Sequence, residues 1–191
     1  MKYLLPREGV HAWRHLILEL SGEDVSKCTQ CGKCTAGCPI ALEMDLQPNQ
    51  VMRLIQINFR ERVLNSSTIW LCVSCQTCTA RCPEGIDIAN VMDVLRKLSV
   101  EEGIKPSQPA ISTFNQVFLE SVQKYGRVHE LDLVLRYNLA SRQPWRDADL
   151  GLPLLRRGKI GFLAQKIEGQ AQVKEIFSRS RRFLSKRSAG G

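Results

Sequence analysis

Apolar residues recur at helical intervals along most of the chain. Val10, Trp13, Leu16, Ile17 and Leu20 predict an amphipathic helix over residues 9–20. Val51, Leu54, Ile55, Phe59 and Val63 make one stripe over 49–63. Ile88, Val91, Met92, Leu95 and Leu98 make another, with Asp87 placed to cap a helix that runs to about Glu101. Phe114, Val117, Phe118, Val122 and Tyr125 line a helix ending near Gly126, and Leu131, Val134, Leu135 and Leu139 line one over 130–141. A last amphipathic helix carries Val173, Ile176, Phe177, Phe183 and Leu184. No long alternating run of β-branched residues appears, so the fold is expected to be all-α.

The interruptions divide the chain. Gly22–Ser26, the polar stretch from Asp45 to Pro48, Asn65–Thr68 and Glu84–Asp87 read as turns or connectors, and the two prolines in Gly103–Pro109 mark a boundary. Residues 1–103 are expected to form one domain and 104–191 a helical extension suited to partner docking. Residues 143–161, with Pro144, Gly151, Pro153, Gly158 and Gly161, read as a link, and the final Ser-Ala-Gly-Gly as a frayed end.

Charge changes the picture only in the second half. Residues 1–104 carry 11 Lys and Arg against 12 Asp and Glu, whereas residues 105–191 carry 16 against 7, so the net +8 belongs to the extension. Arg179, Arg181, Arg182, Lys186 and Arg187 give the last helix a basic face. A solvated face, an acidic partner and an anionic membrane surface all fit such a bias. Nucleic acid fits poorly, since no binding motif accompanies the charge and aromatic residues are only 6%. No apolar run reaches the roughly 20 residues needed to cross a bilayer. Met1–Glu8 does not continue into a signal-peptide core, so a cytoplasmic protein is expected.

The chemistry lies in eight cysteines. Cys28, Cys31, Cys34 and Cys38-Pro39 repeat as Cys72, Cys75, Cys78 and Cys82-Pro83, a 44-residue offset between two copies of C-x2-C-x2-C-x3-C-P. Both copies contain Cys-Thr-Ala-x-Cys-Pro, and Val51-Met52 is echoed by Val91-Met92 in the helix that follows. This spacing holds 4Fe-4S clusters: three thiolates wrap one cluster, and the fourth ligates the other in two-cluster proteins. One cluster is therefore expected on Cys28, Cys31, Cys34 and Cys82, and a second on Cys72, Cys75, Cys78 and Cys38. Structural zinc takes its four ligands as two pairs separated by a gap, and disulfides need an oxidising compartment; both fit this arrangement less well.

Other candidates are weaker. His11 and His15 lie one turn apart but have no third ligand in view. Ile69-Trp70-Leu71, just before Cys72, suits either shielding of a cluster or core packing. Lys33 and Arg81 suit either stabilisation of a reduced cluster or solvated loops. With all cysteines used, no catalytic residue is left, and no dinucleotide motif, P-loop or acid–base pair is present. The chain is expected to relay electrons and not to act as an enzyme alone.

The cysteine runs, together with Ile69-Trp70-Leu71-Cys72-Val73-Ser74-Cys75 and Cys82-Pro83-Glu84-Gly85-Ile86-Asp87-Ile88-Ala89-Asn90-Val91-Met92, resemble the C subunit of heterodisulfide reductase and its bacterial relatives. The resemblance is strong over about residues 25–103. It extends more weakly through Gly126-Arg127-Val128-His129-Glu130-Leu131 and Leu154-Leu155-Arg156-Arg157-Gly158-Lys159-Ile160. It implies an α-helical ferredoxin fold with two 4Fe-4S clusters on the eight cysteines. It also implies partners: a flavin-carrying A subunit and a catalytic B subunit with CCG motifs, which this chain lacks. Related cluster domains in fumarate reductase and anaerobic glycerol-3-phosphate dehydrogenase give the alternative, an iron–sulfur subunit of a membrane-linked, quinone-dependent enzyme.

Overall fold

The computed structural model describes residues 10–146, 153, 154, 156, 157 and 167–188, and the side chains among them from 12 to 180. Every regular element among the described residues is helical. The chain divides into two compact units, residues 1–109 and 110–191.

The first unit contains α1 (Val10–Ser21), α2 (Lys33–Ala36), α3 (Pro48–Gln56), α4 (Arg60–Leu64), α5 (Thr68–Leu71), α6 (Thr77–Ala80) and α7 (Ile88–Glu101). Helix α7 is central and packs against α1, α4, α5 and α6. The predicted stripes supply its core: Ile17, Val51, Met52, Ile55, Val63, Val91 and Leu95 are buried together with Trp13 and Met92. Burial of this apolar surface provides the main driving force, and truncating any one of these large aliphatic residues to alanine costs about 2–5 kcal/mol. Ile69 and Trp70 belong to the same cluster, and neither lines the cavities described below.

The stripe over 49–63 forms two helices instead of one. Asn58 adopts a left-handed φ of 63°, and the Phe59 amide donates to Leu54 O at 2.9 Å, closing α3 before α4 begins. Periodicity could not expose this break, because Phe59 and Val63 resume the same apolar face after the turn. At the other helix, Asp87 caps α7 as expected: its Oδ1 accepts from the Asn90 amide at 3.0 Å.

Asp45 fastens the connector before α5. Its Oδ1 accepts from the Ser67 and Thr68 amides at 2.9 and 3.2 Å and from both hydroxyls at 2.9 and 3.1 Å. Burial alone raises this carboxyl, but the four hydrogen bonds outweigh it and hold the group below its ordinary value. A carboxyl lowered on folding stabilises above its unfolded pKa, near 4, and that stability fades as pH falls through the folded value. Asp45→Asn should lose about 1–2 kcal/mol at neutral pH, as removal of a helix cap does, and flatten the acid limb of a stability–pH curve. An unchanged acid limb in denaturant titrations of the variant would count against this account.

In the second unit, α8 (Pro109–Tyr125) and α9 (Glu130–Ala140) pair through Phe114, whose ring meets Tyr137 edge-on at 5.7 Å. Val117, Ser121 and Asn138 are buried, whereas Val134, Leu135 and Leu139, the expected inner stripe of α9, are exposed. Glu120 pairs with Arg136, which also reaches Asp132 at 3.6 Å. Helix α10 spans Gln170–Ser188. Arg181, Arg182, Lys186 and Arg187 of its basic face, and most of the 143–161 link, lie outside the described side chains.

Candidate functional site

All eight cysteines are free thiols, and two cavities gather them. The first pocket is lined by Cys28, Cys31, Cys34 and Cys82; the second by Cys72, Cys75, Cys78 and Cys38. Each therefore combines three cysteines of one run with the last cysteine of the other. The atom-free space is about 300 Å³ in the first and about 410 Å³ in the second, part of it open to solvent.

The two pockets are built alike. Gln30 and Ser74 share left-handed φ values of 59° and 50°, and Gly32 and Gln76 share 75° and 64°, so both loops turn twice at matching positions. Helices α2 and α6 follow these loops and pack on each other. Thr35 accepts from the Asn49 amide at 3.1 Å, and its counterpart Thr79 accepts from the Ala89 amide at 3.3 Å. Each loop is thus tied to the first turn of the next long helix. Asn49 and Ile88 line the first pocket, and Pro48 and Ala89 the second. The positive ends of α3 and α7 consequently face both pockets and favour thiolates and an anionic group there.

Carbonyl anchors complete the equivalence. Gln56 Nε2 donates to Val25 O and Cys28 O at 3.1 and 2.9 Å. At the matching position, Arg96 Nε donates to Ile69 O at 2.8 Å and Arg96 Nη2 to Cys72 O at 2.7 Å. Gly37 and Arg81 cap α2 and α6, and the Arg81 side chain lies over Gly37, its Cδ only 2.7 Å from where a Cβ would stand. Lys33 and Arg81 are exposed and line neither pocket. His15 is also exposed and pairs with Glu19 at 3.4 Å, while His11 lies outside the described side chains.

Thiol electrostatics separate floor from rim. Burial pushes the Cys34, Cys72 and Cys78 thiols up, with Arg96 partly offsetting the rise at Cys72. The exposed Cys75 is drawn down by the Thr77 hydroxyl. Buried thiols of this kind give up their protons on metal binding. A tetrahedral zinc site demands sulfurs about 2.3 Å from one ion. Among the described residues, no three His, Cys, Asp or Glu side chains converge tightly enough to hold a single ion. Four thiols spread around an open pocket fit a larger inorganic core instead.

Comparison with known proteins agrees with this donor set. The profile of the 4Fe-4S dicluster domain matches residues 24–86. The chain is 37% identical over 97 residues to the C subunit of the ferredoxin:CoB-CoM heterodisulfide reductase of Methanosarcina mazei, covering 50% of this chain and 60% of that one. Over 81 residues it is 40% identical to the protein of the same description from Methanosarcina acetivorans, covering 42% and 32%. A protein of Archaeoglobus profundus named for its likeness to the heterodisulfide reductase C subunit is 30% identical over 130 residues, 66% of each chain.

The chain is a relative of the C subunit of heterodisulfide reductase. Its cysteine region is a 4Fe-4S dicluster domain, the module of iron–sulfur proteins. The chain spans about one third to three fifths of the length of the first relatives it matches. Among the described residues no helix is long and apolar enough to cross a membrane. Sequence reasoning singled out the cysteines of this C-subunit relative but missed Thr35, Thr79, Gln56 and Arg96. For the threonines a signal existed, since each stands at the same place in the repeated Cys-Thr-Ala-x-Cys-Pro. Gln56 and Arg96 differ in type, so only the structure reveals that they do one job.

Proposed function

We propose that the chain carries two 4Fe-4S clusters, one on Cys28, Cys31, Cys34 and Cys82 and one on Cys72, Cys75, Cys78 and Cys38, and relays electrons within a heterodisulfide-reductase-like complex in the cytoplasm. It links a flavin-containing A-type subunit to a catalytic B-type subunit with CCG motifs. The observation carrying this reading is the sorting of eight free cysteines into two pockets, each completed by the other run. Each bound cluster accepts and releases one electron at a time. The chain's residues hold the thiolates in place, present two positive helix ends, and shield the inner thiols from water.

With every cysteine committed, the isolated chain has no group for breaking a disulfide. Anoxically reconstituted protein should contain about eight iron atoms and about eight inorganic sulfides per chain. It should show cubane EPR signals on reduction and reduce no heterodisulfide by itself. Affinity purification under anoxic conditions should recover the A- and B-type subunits. Turnover of a heterodisulfide by the single chain would reject the relay role, and zinc without sulfide would reject the clusters.

A further inference from the structure

The two pockets share a backbone but not their charges, and the larger number of differences favours one side. At the first pocket, Gln30 Nε2 donates to Cys28 Sγ at 3.3 Å. At the equivalent residue of the second pocket, the Ser74 hydroxyl donates to Asp93 Oδ1 at 2.8 Å, and only the Ser74 backbone serves the sulfur of Cys72. The carbonyl anchors differ in the same sense. Gln56 is neutral and accepts from Arg53 Nη1 at 3.2 Å, so that contact leaves the Arg53 charge uncompensated. Arg96 is cationic but pairs with Asp93 at 3.1 Å, which weakens its charge next to Cys72 without cancelling it. Arg53 and Asp93 occupy matching positions, one turn before their anchors, with opposite sign. Arg14 and Arg53 both line a polar cavity that includes Cys28. Lys33, exposed and lining neither pocket, stands where the second run has Thr77, whose hydroxyl lies 3.4 Å from Cys75 Sγ and works for the second pocket.

Adding an electron to a thiolate-bound cluster adds negative charge, so hydrogen bonds to sulfur and nearby cations raise the potential and nearby carboxylates lower it. Glu84, the one carboxylate among the described residues that line either pocket, opposes this trend at the first. It is exposed, as are Arg53 and Asp93, so solvent and salt screen all three, whereas the Gln30 amide touches the ligand itself.

We infer that the pocket of Cys28, Cys31, Cys34 and Cys82 is the higher-potential end of the chain, so that an electron entering at the other pocket runs downhill toward it, with Gln30 and Asp93 setting the difference. The inference rests on the two-cluster reading. The step moves one electron from one cluster to the other; no bond or proton moves, and the electron comes from an external one-electron donor, dithionite in the assay.

The test is a redox titration of the anoxically reconstituted full chain, followed by EPR. The wild-type protein should show two one-electron waves whose reduction equilibria differ at least tenfold, about 59 mV. Gln30→Met should lower the upper wave several-fold and leave the lower one in place. Asp93→Asn, which keeps partners for Ser74 and Arg96, should raise the lower wave and leave the upper one. Iron content equal to wild type certifies that each variant is loaded. If Gln30→Met moves the lower wave or neither, or Asp93→Asn moves the upper wave or neither, or the wild type shows a single wave, the inference is overturned. Absence of any cubane signal from the wild type would instead remove the two-cluster reading beneath it.

Discussion

Cys38→Ser is expected to strip iron from the pocket formed by the other cysteine run. Cys38 follows Cys34 by four residues, yet it lines the cavity of Cys72, Cys75 and Cys78. Serine keeps the size but supplies a weak, hard ligand in place of a thiolate, and a cluster left with three thiolates is labile. Iron should fall from about eight to about four atoms per chain, and the surviving EPR signal should be the one assigned to Cys28, Cys31 and Cys34. Cys82→Ser should give the reciprocal loss, leaving the signal of the Cys72 run. If Cys38→Ser and Cys34→Ser erase the same signal, each run completes its own site and the crossed assignment is wrong.

The second large effect is expected at Arg96. Its guanidinium satisfies two carbonyls, Ile69 O and Cys72 O, at the base of the second loop, and its side chain is 23% exposed. Arg96→Ala leaves both carbonyls without that donor. Hydrogen bonds from a charged group are worth about 1.5–3 kcal/mol each, so partial exposure leaves a destabilisation of about 2–4 kcal/mol. Release of iron to a chelator should accelerate from the second pocket alone. The protein contains its own control, because Gln56 makes the equivalent pair of bonds with a neutral amide. Arg96→Gln should therefore restore most of the lost stability, measured by chemical unfolding of the loaded protein. Equal damage from alanine and glutamine would assign Arg96 a role in charge and not in loop anchoring.

Much of this was legible in the residues. The cysteine spacing defined two loops, and apolar periodicity located α1, α7, α8, α9 and α10 because each presents an uninterrupted stripe. The same periodicity hid the turn at Asn58, since a left-handed residue changes chain direction without changing which side chains are apolar. It also misjudged α9, where Asn138 is buried while Leu135 and Leu139 face outward. Hydrophobicity alone does not say which side of a short helix its neighbour covers. The one-turn helices α2, α5 and α6 left no periodic trace, being shorter than the pattern that would reveal them. The anchoring side chains were silent for another reason: glutamine and arginine reach the same carbonyl by different chemistry, and only their coordinates coincide.

Arg81 over Gly37 makes two distant positions epistatic. Where α2 and α6 meet, the space beside residue 37 is already taken by the side chain of its own counterpart, with Cδ, Nε and Nη1 within 3.1 Å of a would-be methyl. A side chain gained at 37 must push the exposed outer part of the arginine aside, moving a cation that sits one residue before Cys82 while the newcomer sits one residue before Cys38. The coupling runs one way: position 37 gains a side chain only as the arginine swings aside, whereas position 81 is free to change with glycine in place.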